Sequence, residues 1–106
     1  MQIAERDWKH WRRISEIALQ RYCAHILDEV ASFQRGAESA HDRYLQLFRL
    51  LGERDGEIAV VFNDRRRSNA YRQIAAGVAA GIVNREELGG FSEETQSVVR
   101  MMLGET

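Results

Sequence analysis

Asn63-Asp64-Arg65-Arg66-Arg67-Ser68-Asn69-Ala70-Tyr71-Arg72 separates two segments of strong helical periodicity. A turn signal, three adjacent guanidinium groups and an aromatic coincide there. Asn63 and Asp64 suit a turn and an N-cap. Read as a helix boundary, the stretch folds the chain back on itself and makes it a helical bundle. Cations in the first turn of a helix oppose its dipole by about 0.3–1 kcal/mol each, and cations at the end of the preceding helix are favoured by a similar amount. For Arg65, Arg66 and Arg67 the two effects nearly cancel, so their placement alone implies neither strain nor a ligand.

Upstream, residues 4–34 read as one helix. At about 100° per residue, Ala4, Trp8, Trp11, Ala18, Leu19, Tyr22, Ile26, Val30 and Phe33 share a face, while Arg13, Glu16, Gln20, Arg21 and Asp28 lie opposite. Ile14, Ile17 and Leu27 fall off the stripe, and Glu29 sits beside it. Gly36 is a C-terminal stop. A helix of about 30 residues is about 45 Å long, which predicts an elongated bundle or a helix that projects into a partner.

Residues 38–62 form the second helix, with Ala40, Tyr44, Leu47, Leu51, Ile58 and Phe62 as its stripe. Gly52 and Gly56 each cost about 1 kcal/mol relative to alanine. The stripe keeps its phase across both, which predicts one continuous helix. Asp55 falls inside the stripe as an anomaly. The third helix is expected from Arg65 to Val83, with Tyr71, Ile74, Ala75, Val78 and Ile82 facing inward. Asn84-Arg85-Glu86-Glu87 has the form of a capping box, and Ser92-Glu93-Glu94-Thr95 starts a last short helix. The expected fold is all-α: an elongated single domain of three main helices and one or two short C-terminal ones.

Composition agrees. The 106 residues contain no proline, 44% hydrophobic and 29% charged residues, and a formal net charge of −1. Proline breaks helices, and about five would be ordinary at this length. Near-neutral charge gives no general drive toward nucleic acid or membranes. The lone Cys23 excludes an internal disulfide. The N-terminus lacks the apolar core of a secretory signal, and no apolar run approaches the roughly 20 residues of a membrane span. These features predict a soluble, cytoplasmic protein of bacterial type.

Candidate chemistry is sparse. Glu38-x-x-His41 is a single copy of a spacing that di-iron bundles use in pairs. Phosphate loops, dinucleotide fingerprints and nucleophile elbows do not occur. The expectation is a protein without enzymatic activity, cofactor or metal. The candidate binding residues are Arg65, Arg66, Arg67, Arg72 and Tyr71 at the boundary, with inward-phased Asp55 and Glu29. Arg67 shares the phase of Tyr71 and Ile74 and needs an anion, for which Glu29 is a candidate. Guanidinium forks suit carboxylates and phosphates alike. Basic residues interleaved with Trp8 and Trp11 near the N-terminus could hold a nucleic-acid backbone, although both tryptophans lie on the core face. Two readings follow. The first is a small interaction or regulatory module that presents helical surfaces and self-associates as a homodimer. The alternative is a nucleic-acid or polyanion binder using Arg65–Arg67 and Arg72.

Overall fold

A computed structural model describes residues 2–33 and 38–105. The described residues form five α-helices and no strand: α1 (Glu5–Phe33), α2 (Ala40–Phe62), α3 (Ala70–Ala79), α4 (Arg85–Gly89) and α5 (Glu93–Met102), with a 3-10 turn at Arg67–Asn69 between α2 and α3. The expected all-α, elongated architecture is what forms. The molecule measures 51 × 26 × 23 Å, with a radius of gyration of 16.4 Å. A compact domain of this size has a radius near 13 Å. The Gly36 stop lies outside the described residues.

The excess length is a two-helix hairpin. α2 runs unbroken through Gly52 and Gly56, beginning at the N-cap Ser39, whose hydroxyl accepts from the Asp42 N–H. At one end of the molecule α3, α4 and α5 pack on the N-terminal half of α1 and the last turns of α2. Ile3, Trp11, Ile14, Ala18, Val61, Ile74, Ile82, Phe91 and Val99 form the core there. Trp11 is fully buried and stacks on Phe62 at 6.5 Å. Ile14, expected off the stripe, is buried as well, because α1 is covered from more than one direction at this end. Beyond Ile26 the core stops. Among the described residues, the outer halves of α1 and α2 pack chiefly on each other.

Three expectations need correction. First, the arginines do not join the third helix. Asn63 is extended and Asp64 takes a left-handed φ of 54°, a conformation that aspartate tolerates better than most residues. The freed carbonyls are satisfied by side chains: Gln73 Nε2 donates to Asn63 O at 2.6 Å and Asn69 Nδ2 to Asp64 O at 2.9 Å. Second, α3 ends at Ala79 rather than Val83. Gly81 has φ +74°, its N–H reaches Val78 O at 3.1 Å and the Ile82 N–H reaches Gly77 O at 2.8 Å. That pairing is a Schellman ending, in which a left-handed glycine closes the helix. Third, α2 does not bury its stripe. Val61 is its one buried residue, while Tyr44 and Leu51 are exposed.

The capping box forms as read. Asn84 Oδ1 accepts from the Glu87 N–H at 2.8 Å and Glu87 Oε1 accepts from the Asn84 N–H at 3.0 Å. Ser92 caps α5 through Thr95 N.

Candidate interaction surface

The predicted binding residues separate into two groups. At the boundary, each guanidinium is engaged within the chain. Arg65 donates to the Ser15 hydroxyl and pairs with Glu16 at 3.1 Å. Arg66 pairs with Asp64 at 2.6 Å. Arg67, whose anion was missing, bonds Glu5 at 2.7 Å and the Ile3 carbonyl at 2.8 Å. Arg72 donates to Asn69 Oδ1 at 3.0 Å. Tyr71 packs half-buried against the core. The loop is therefore stapled to the first three turns of α1. Glu16 and Glu5, unlike the local Asp64, are more than 45 residues from the arginines they pair with, so spacing could not identify them.

Asp55 and Glu29 lie elsewhere, on the hairpin. Glu29 is not the partner of Arg67. Arg54 bonds it at 3.2 and 3.3 Å and also reaches Glu57 at 3.2 Å. Tyr22 donates its hydroxyl to Glu57. Burial, then the bond to Glu57, pushes the Tyr22 pKa up to about 12, so the phenol remains a donor at neutral pH. This clasp holds α1 and α2 together where the core has ended. Asp55 is exposed on a groove rim rather than turned inward. Along this stretch α1 covers one side of α2, and α3 reaches only its last turns, so much of the circumference of α2 stays open.

That groove, about 580 Å³, lies between α1 and α2 along the hairpin. Cys23, Ile26, Leu27, Phe48, Leu51 and Ile58 line it, with Arg54 and Asp55 at its rim. Leu27 and Phe48 are 67% and 70% exposed. Tyr44, Leu45 and Val60 add further exposed apolar surface along α2. Monomeric proteins rarely expose contiguous apolar patches above a few hundred Å². Comparison with protein-family models, curated proteins and solved structures finds no match to this chain.

A second, polar groove of about 350 Å³ lies beside the boundary loop, lined by Lys9, Arg12, Arg13, Glu16 and Arg65. Glu16 is its one acid. Among the described residues, no group of three or more His, Cys, Asp or Glu side chains gathers as a metal site would require, and no helix is long and apolar enough to cross a membrane.

Sequence reasoning placed Tyr44 and Leu51 in a core and missed Phe48 as surface, whereas Leu27, read as lying off the stripe and adding exposed apolar area, is exposed. The available signal was quantitative: the first helix is longer than any bundle the remaining segments could wrap around it.

Proposed function

We propose that this protein is an interaction module that works by docking a helical protein surface on the open apolar face of the α1–α2 hairpin, and that it self-associates as a two-fold homodimer, the commonest closed symmetry. The observation that carries the reading is the hairpin itself. It is continuous with a well-packed bundle, its two helices are tied by the Tyr22–Glu57–Arg54–Glu29 clasp, and yet its large apolar side chains face outward. An ordered scaffold with an uncovered apolar face favours binding over folding as the role of those side chains. Phe48 and Leu27 are the anchors, since buried aromatic and aliphatic side chains at an interface centre dominate its energy. The proposed role is non-enzymatic and cytoplasmic.

The alternative, a polyanion binder, draws on the second groove. Lys9, Arg12, Arg13 and Arg65 converge there around a single acid.

Light scattering at micromolar concentration tests both. The expected mass is twice the 12.2 kDa of the chain, and the double variant Leu27→Glu/Phe48→Glu is expected to be monomeric with unchanged helicity. A monomeric wild type rejects self-association. Binding of single-stranded nucleic acid that weakens steeply with salt, and survives the double variant, supports the polyanion reading instead.

A further inference from the structure

We infer that the second copy docks antiparallel, with the two α2 helices crossing at Gly52 so that Phe48 of each copy enters the notch over Gly56 of the other. The inference rests on the self-association proposed above and fixes its geometry.

The exposed surface of α2 is not a uniform stripe. Tyr44, Phe48, Gly52, Gly56 and Val60 recur every four residues, and all five are exposed. Tyr44 and Val60 are 60% and 64% accessible. Such a row forms a ridge inclined about 26° to the helix axis, and two such ridges align when helices cross at about 50°. The row has bulk at Tyr44 and Phe48 and a depression at Gly52 and Gly56. A β-carbon built at either glycine meets no atom within 4 Å. Nothing inside the chain therefore requires glycine there, although each costs about 1 kcal/mol in a helix.

A two-fold axis through Gly52 places residue 52 + n opposite residue 52 − n of the other copy. Phe48 then covers Gly56, and Tyr44 covers Val60. Gly56 borders a groove of about 320 Å³ between α2 and α3, lined also by Val60, Ala76 and Ala80, which receives the incoming ring. Charge agrees with shape. Arg49 and Glu53 lie one turn apart on one flank of the row, both exposed and without an ion pair among the described residues. The axis reverses their order and brings each Arg49 beside the other copy's Glu53. The area suffices as well. At roughly 200 Å² per large side chain, Leu27, Tyr44, Leu45, Phe48, Leu51 and Val60 leave on the order of 600 Å² to cover. A standard interface buries about 800 Å² per partner, including its polar rim.

Disulfide trapping in a Cys23→Ser background tests the crossing. Tyr44→Cys and Val60→Cys chains, mixed and mildly oxidised, are expected to form a mixed disulfide dimer, because the row brings these positions together across the axis. Neither variant alone should cross-link, because each position lies about 24 Å from its own symmetry mate along the seam. Gly56→Leu should weaken the dimer at least tenfold while leaving the melting temperature of the monomer unchanged or raised. Cross-linking of either cysteine variant with itself means a parallel arrangement and overturns the inference. So does a dimeric mass with no mixed cross-link, or a Gly56→Leu chain that dimerises normally. Those results leave the interaction module standing, whereas a monomeric wild type rejects the self-association beneath it.

Discussion

Asp7→Ala is expected to lower unfolding free energy by about 3–4 kcal/mol, the largest effect of any single polar substitution in the chain. Asp7 is 1% exposed, in the first turn of α1. Its carboxylate accepts three hydrogen bonds from the start of α5: the Ser92 N–H at 2.9 Å, the Ser92 hydroxyl at 2.5 Å and the Thr95 hydroxyl at 2.6 Å. Ser92 Oγ simultaneously accepts from the Thr95 N–H at 3.3 Å. One carboxylate thereby orients the N-cap of a helix 85 residues away. Alanine leaves these donors buried and unpaired, at about 1–3 kcal/mol for each group that finds no water. For a domain of this size the expected fall in melting temperature is roughly 15–25 °C. Urea denaturation followed by helical circular dichroism measures it. A loss below about 1 kcal/mol would mean that the three bonds contribute no net stability.

The second large effect is expected at Glu87. Arg21 grips its carboxylate in a two-pronged contact, Nη2 to Oε1 at 2.8 Å and Nη1 to Oε2 at 3.1 Å, and also donates to the Ile82 carbonyl at 2.7 Å. The same carboxylate closes the capping box of α4. Glu87→Ala therefore removes a cap, worth about 1 kcal/mol, and a bidentate charge-assisted pair. Arg21 is one-third exposed, so solvent screens part of that pair. The expected total is about 2 kcal/mol. Both carboxylates also set the acid limb of stability. Burial alone would raise the pKa of each. Around Asp7 the hydrogen bonds from Ser92 and Thr95 outweigh it, and around Glu87 those from Arg21 and the Asn84 N–H do, so both are held below their ordinary values of 3.8 and 4.5. The unfolded chain thus binds protons more readily than the folded one. Their stabilisation is full above the ordinary values and is lost as pH falls through the depressed ones. Asp7→Asn and Glu87→Gln are each expected to flatten the decline below about pH 4 in unfolding titrations. An unchanged acid limb would contradict the assignment.

What was legible from the residues was local. The Asn84–Glu87 box and the Ser92 cap are three-residue relationships, and both form as written. The phase of α2 survives two glycines because periodicity is a property of one helix. Gly81 carried a C-terminal signal that competed with the run of small residues around it, and the left-handed backbone won. The partners of Arg65, Arg67 and Asp7 were not legible, since each contact joins segments 49 to 88 residues apart. The fate of the α2 stripe was not legible either. A stripe states which face is apolar, whereas burial depends on whether another element arrives to cover it.

α1 belongs to both halves of the molecule at once. Its first twenty residues are locked by α3, α4, α5 and the stapled loop, while its last turns, among the described residues, rest on α2. Opening at the tip of the hairpin therefore breaks few tertiary contacts, and opening at the base requires dismantling the core. Amide exchange is therefore expected to be graded along this one helix, slow at its base and fast at its tip. A partner seated on the hairpin would raise protection at the tip of α1 and level that gradient, so occupancy of that surface is readable from the tip.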